Sequence, residues 1–359
     1  MPYSLFRSGF VFLALLSTIL SCSTSTKTSI DHTGEKFEPA DGNTLFILGQ
    51  ADQYAMRQYI ANIQSDPYPA GFAFYTSLSG NGAKNDMNKI NDFMSDFPKS
   101  ALQLAIWTGE RRWGDPGYYL REILRGEHDG QIVDLAEACK DLDQPIFIRF
   151  GYEFDGFHNA YPPTDYVEAY QYFVDMMRDQ GVDNVAFVWH SWGVDPYYGS
   201  DDYPLFYPEL SEDVEINQSL WYPGDDYVDW FGLSIFGTGW GNVKEFNPVQ
   251  YLVSLAKEHD KPLMIAESAA IKTSGSPDDS WVIPNDSWFV HLFDLIEDNP
   301  ETVKAFTYIN VDWEADNPQS TWGDTRIQEA TPEVQGFWDN HLNELIHASD
   351  TLFRHIGYK

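Results

Sequence analysis

Apolar and aromatic residues gather in eight short runs along the chain, at 44–49, 71–77, 102–107, 145–150, 184–190, 228–235, 262–267 and 303–310. They are rich in Val, Ile, Leu and Phe with little polar alternation, as expected of parallel strands covered on both faces. Between several of them the pattern changes to a helical period. In 129–141 the apolar positions are Ile132, Leu135, Ala136 and Cys139, and in 164–180 they are Val167, Tyr170, Phe173, Val174 and Met177. The stretches 247–259 and 288–297 behave the same way. Strand, loop and helix in repetition predict an α/β fold with a parallel sheet. Eight strands over about 310 residues favour a single closed (β/α)8 barrel over an open sheet. The barrel is expected over 43–350.

An open, doubly wound sheet that binds dinucleotides would carry a glycine-rich turn after an early strand. Here the first run ends Gly49-Gln50-Ala51-Asp52, and no phosphate-binding loop occurs elsewhere. Nucleotide chemistry is not expected. The formal charge of -33 also repels nucleic acid and anionic lipid. Many of the 12 Trp, 21 Tyr and 24 Phe belong to a core, but Trp and Tyr are also the usual platforms for the apolar faces of sugar rings, which favours carbohydrate.

Near the start of the chain, Arg7 supplies a positive charge ahead of an apolar run from Phe10 to Leu20, the length of a signal-peptide core and too short for a comfortable membrane span. Residues 1–21 read as a signal peptide. Ser21-Cys22 directly after it resembles a bacterial lipobox, which would make Cys22 the lipidated first residue of the mature chain. Residues 22–42, opening on a Ser/Thr-rich stretch, read as a flexible tether. The expected location is the cell envelope, at the outer membrane of a Gram-negative bacterium, with membrane contact through the anchor only. The remaining cysteine, Cys139, would then be a buried free thiol.

Two runs end in glutamate. The fourth continues through Arg149, Phe150, Gly151 and Tyr152 to Glu153, and the seventh ends Ala266-Glu267. In a (β/α)8 barrel the C-terminal strand ends form the functional rim, so both carboxylates belong there. A pair of carboxyl groups is what glycoside hydrolysis requires, one as acid and one as nucleophile or base. Metal chemistry has no comparable signal. No HExxH motif occurs, and His128, His158, His190 and His291 are scattered. No cofactor is expected.

The glutamates closing the fourth and seventh strands resemble those of the large (β/α)8 glycosidase clan, and the chain is most similar to glycoside hydrolase family 26, the β-mannanases and their β-1,3-xylanase relatives. The resemblance rests on 145–149 through Glu153 and Gly156, on the Tyr222-Pro223-Gly224-Asp225 to Gly232 segment, and on 261–267. It implies a retaining enzyme with Glu153 as acid/base and Glu267 as nucleophile. It implies a monomer whose partner is a polysaccharide. Trp107, Trp192, Trp240 and Trp313, near several strand ends, could floor an extended cleft and predict cleavage within chains. The two carboxyl groups are expected about 5–5.5 Å apart. Trp313 matches the aromatic floor of the clan. Arg149, Tyr152, His190, Trp192, Trp107 and Phe236 are the further candidates for substrate binding, and Arg149 could instead hold a carboxylate, favouring the charged form of Glu267.

The sequence departs from the mannanase pattern at three places. Tyr152 stands where a histidine usually precedes the acid/base. Ser234 and Phe236 replace the aspartate and tyrosine that usually follow the sixth-strand glycine. Phe157, His158 and Asn159 replace bulky aromatics. These changes point to β-1,3-xylan or an algal galactan as alternatives to β-mannan. A different reading keeps the aromatic rim without hydrolysis, as a glycan-binding lipoprotein on a degenerate barrel.

Overall fold

The structure, a computed structural model, describes residues 34–50, 52–62, 68–80, 82–108, 115, 117–156, 158–159, 161–193, 218–236, 247–271, 288–316, 320 and 322–359. The signal peptide, Cys22, Phe157 and Trp240 lie outside the described residues.

Eight parallel strands close into one barrel in the order of the chain. They are β1 (Leu45–Gly49), β2 (Gly71–Ser77), β3 (Ala101–Trp107), β4 (Ile146–Phe150), β5 (Val185–Ser191), β6 (Trp230–Ile235), β7 (Leu263–Ser268) and β8 (Val303–Ile309). Pairing of Phe46 with Phe306 and its neighbours joins β1 to β8 and removes both sheet edges. This is the single (β/α)8 barrel that the spacing of apolar runs predicts. The connecting helices are α1 (Gln53–Asn62), α2 (Gly82–Met94), α3 (Tyr118–Leu124), α4 (Asp129–Asp141), α5 (Pro163–Asp179), α6 (Pro248–Glu258) and α7 (Trp288–Asp298).

Side chains of each strand alternate between the helix layer and the barrel interior. Along β4, Ile146, Ile148 and Phe150 join the large cluster shared with the helices, whereas Phe147 belongs to the inner cluster. Along β5, Val185, Phe187 and Trp189 join the outer cluster, and Ala186 and Val188 the inner one. Above this apolar interior the filling becomes polar. Gln103 of β3 donates to the Ala266 carbonyl at 3.0 Å and accepts from Thr307 at 3.2 Å. Arg149 and His190, next on the inward parity of β4 and β5, are fully buried at 0% exposure.

The opposite end is closed by both ends of the described chain. Phe37 is buried and packs edge-on against Phe147 at 5.8 Å and Tyr358 at 5.7 Å. Trp230 donates its indole N–H to the Lys36 carbonyl at 2.7 Å. Leu352 and Ile356 join the same cluster. Phe37, which falls in the stretch expected as tether up to residue 42, is instead buried against the barrel floor. Lys304, also 0% exposed, reaches Asp41 at 2.6 Å. Cys139 is a buried free thiol whose pKa burial pushes up to about 12.

Candidate active site

The C-terminal strand ends surround a pocket of about 520 Å3. Glu153 and Glu267 both line it. Aromatic walls come from Tyr75, Trp107 and Tyr152, from Trp192 and Phe236, and from Trp313 and Trp322. Trp322 stands 5.1 Å from Trp313 and 4.6 Å from Phe236, centroid to centroid, so three rings join on one side. Gln50, His158 and Asn159 complete the lining.

Glu153 lies beyond the end of β4, in a tight turn. Gly151 has φ +55° and a Cβ there would meet the Tyr166 ring at 3.0 Å, so only glycine fits. Glu153 itself has φ 51°, an uncommon conformation for a residue with a side chain and one that concentrates at functional sites. Asn159 braces the turn, its amide donating to the carbonyls of Tyr152 at 2.8 Å and Glu153 at 3.1 Å. The carboxylate has a partner on each oxygen. Ser234 Oγ donates to Oε1 at 2.6 Å, and His158 Nε2 lies 2.7 Å from Oε2. Burial alone would lower the His158 pKa, but Glu153 more than offsets it, and the imidazole titrates above its usual range.

Glu267 closes β7 where the β6–β7 register shifts, so that Leu233 faces Ile265 but Ser234 faces Glu267. This irregularity aims both side chains at the same mouth. Arg149 Nη1 donates to Glu267 Oε1 at 2.5 Å. The Tyr75 phenol also donates to Oε1. It lies within hydrogen-bond reach of Gln50 as well, but it has one hydrogen and the carboxylate is the stronger acceptor. Burial raises the Glu267 pKa, with Arg149 and Tyr75 pulling it back toward the ionised form. Burial, reinforced by Glu267, holds the Tyr75 phenol well above its usual pKa, so it stays a donor.

Two candidates stand beneath the pocket and not on its wall. Arg149 and His190 do not line the pocket; they form the layer beneath it. Arg149 Nη1 lies 3.1 Å from His190 Nδ1, and His190 Nε2 lies 3.0 Å from Ser234 Oγ. Burial first, then Arg149 and His158, hold His190 well below its usual pKa, so it is neutral. Tyr152, Trp107, Trp192, Phe236 and Trp313 do reach the pocket. Tyr75, Ser234, His158 and Trp322 were not among the expected site residues. A tyrosine ending the inward pattern of β2 was the available sign for Tyr75. Trp192 is fixed by its backbone N–H, which donates at 2.6 Å to Asp155. Asp155 is fully buried and also accepts from Ser191 at 2.6 Å and Gln218 at 3.0 Å, and burial pushes its pKa up to about 6. Among the described residues no group of three His, Cys, Asp or Glu converges as a metal site.

No protein-family profile matches the chain. It is 27% identical to a β-1,3-xylanase from Alcaligenes over 90% of this chain and 68% of that protein. It is 28% identical to a β-1,3-xylanase from Vibrio over 81% of this chain and 64% of that protein. The chain thus spans about two thirds of the length of these curated relatives. Among solved structures, a family 26 β-mannanase from Bacteroides ovatus superposes with a TM-score of 0.56 at 15% identity, covering 89% of this chain and 93% of that one. An endo-β-1,4-mannanase from Cellulomonas fimi gives 0.57 at 18% identity, covering 88% and 74%.

Proposed function

We propose that this chain, a family-26-like glycoside hydrolase of the endo-β-glycanase type, cleaves its polysaccharide with retention of configuration, using Glu153 as acid/base and Glu267 as nucleophile. One observation carries the reading: two carboxylates share one aromatic pocket but are held in opposite ways. Glu267 is gripped on Oε1 by a guanidinium and a phenol, which favours the charged form and leaves Oε2 for attack. Glu153 faces an imidazole through Oε2, a partner with which it can exchange a proton.

In the first step Glu153 gives its proton to the glycosidic oxygen as the bond to the anomeric carbon breaks. Glu267 Oε2 forms the new bond to that carbon. In the second step the Glu153 carboxylate takes a proton from water, the water oxygen bonds to the anomeric carbon, and Glu267 leaves. Arg149 and Tyr75 accept the returning charge on Glu267, fixed donors that need no reorganisation. The rings on both sides of the pocket support stacking of several sugar units, which suits cleavage within a chain.

Among β-1,3-xylan, β-mannan and an algal galactan, β-1,3-xylan is the preferred substrate. Two relatives bearing that name align over most of this chain, and Tyr152, Ser234 and Phe236 depart from the mannanase pattern. We further propose that the protein works as a monomer at the cell envelope, at the outer membrane of a Gram-negative bacterium, anchored through Cys22. Replacing Cys22 with serine should move it from the membrane to the soluble fraction.

Proton NMR of the first product tests the chemistry. The new hemiacetal should appear with the substrate's configuration, with mixed oligosaccharides from the first minutes on β-1,3-xylan. An inverted first product would make Glu267 a base. Binding without new reducing ends on any β-glycan would replace hydrolysis by glycan recognition.

A further inference from the structure

Arg149, His190, Ser234 and Glu153 form a hydrogen-bond chain whose direction is fixed by its first member. A guanidinium only donates. His190 Nδ1, 3.1 Å from Arg149 Nη1, must therefore accept, and the single hydrogen of the neutral ring sits on Nε2. That N–H points to Ser234 Oγ at 3.0 Å, so the serine oxygen accepts from the ring. The serine's own hydrogen is then left for Glu153 Oε1, at 2.6 Å. The arrangement is built into the barrel: Arg149, His190 and Ser234 are buried, and Gly232 lets β5 pack closely on β6, since a Cβ there would stand 2.9 Å from Val188 Cγ1 and 3.3 Å from His190 Cβ.

Resting on the hydrolase reading above, we propose that Ser234 is a positioning residue: the chain from Arg149 through His190 makes it a donor to Oε1 of Glu153, which confines the acid proton to Oε2. Oε2 is the oxygen beside His158, so proton uptake and delivery occur at one atom with one orientation. The same Arg149 nitrogen also holds Glu267, so one cation sets the geometry of both carboxylates. Ser234 thus takes up, by a hydrogen bond to the acid, a strand position whose side chain also borders the nucleophile in register.

The test compares leaving groups. Ser234→Ala should lower kcat on an unactivated oligosaccharide by about 10- to 100-fold, part of what general acid catalysis supplies. KM should hardly change. On an aryl glycoside with a good leaving group, which needs little protonation, the loss should stay below about threefold. Ser234→Thr should restore most of the activity. Glu153→Ala run beside it reports on the underlying reading. If Glu153→Ala shows no leaving-group dependence, Glu153 is not the acid. If it does, but Ser234→Ala loses equal activity on both substrates or none on either, the positioning role is wrong. Nitrogen-15 NMR of the unsubstituted protein gives a second measure independent of how the variants fold. His190 should be the neutral ring protonated on Nε2; protonation on Nδ1, or a charged ring, overturns the proposal.

Discussion

Each end of the barrel buries a cation, and the two are handled differently. At the mouth, Arg149 faces a carboxylate that is itself buried, Glu267 at 6% exposure. At the floor, Lys304 faces Asp41, whose side chain is 74% exposed. Both cations have left water, and each needs its partner. At the mouth the close partner has left water too, whereas at the floor the close partner stays in water and a more buried carboxylate, Glu38, stands off at 3.9 Å. If the floor pair parted, Asp41 would rehydrate and Glu38 would remain beside Lys304. At the mouth, burial raises the pKa of the Glu267 carboxyl, and Arg149 pulls it back toward the ionised form.

The comparison breaks most directly at Arg149. Arg149→Met should lower kcat by about 100- to 1,000-fold, and should also destabilise the fold, since loss of a buried charge partner costs roughly 3–5 kcal/mol of stability. A loss under about tenfold would mean that Glu267 does not depend on it. Next in size is Asp155, at the mouth side of the fold. Asp155→Asn puts an amide N–H among three donors and should destabilise the protein by about 2 kcal/mol in urea unfolding. The pH dependence sharpens this. The folded carboxyl binds its proton near pH 6, against an ordinary 3.8, so the folded state holds the extra proton between those values. Its contribution to stability therefore grows as pH falls from 7 toward 4, by about 3 kcal/mol at most, and is lost as pH rises through 6. The gap between wild type and variant should widen accordingly on acidification; a constant gap would show that Asp155 does not titrate there.

Tyr75→Phe should follow, with kcat down about 10- to 100-fold and melting temperature nearly unchanged, because it removes one donor to Glu267 and little volume. A larger fall in melting temperature than in rate would make Tyr75 a packing residue. Lys304→Met should have the smallest effect, within about 1 kcal/mol in either direction and without change in kcat. A large loss of stability there would mean the floor cation resembles the mouth cation after all.

The strands were legible because a parallel barrel buries both faces of each, which leaves continuous apolar runs such as 102–107 and 303–310. Glu153 and Glu267 were legible as charges ending such runs. Arg149 was legible as a group that could hold the Glu267 carboxylate, and it does; what escaped was the rest of the pairing across the barrel. Tyr75 and Glu267 are 192 positions apart, and nothing local to β2 marks the phenol as a partner of β7. Arg149 and His190 looked like rim residues because strand ends locate the rim but do not separate its surface from the layer beneath. The sixth-strand change to Ser234 and Phe236 reads as two missing groups in the sequence. In space, Ser234 supplies a donor to Glu153, and the hydroxyl to Glu267 comes from another strand. Phe37 escaped because a single apolar residue in a polar stretch has no periodicity to reveal it.

The floor has a practical consequence for anyone handling this protein. Phe37 and Tyr358 touch beneath the barrel, and Lys359 pairs with Asp143 at 2.5 Å just ahead of β4. Both termini of the barrel therefore emerge on the side away from the pocket. A tag, bead or fused module joined at either terminus of the barrel stands behind the enzyme rather than in front of it, and the mouth stays open to a polymer too large to diffuse around an obstacle.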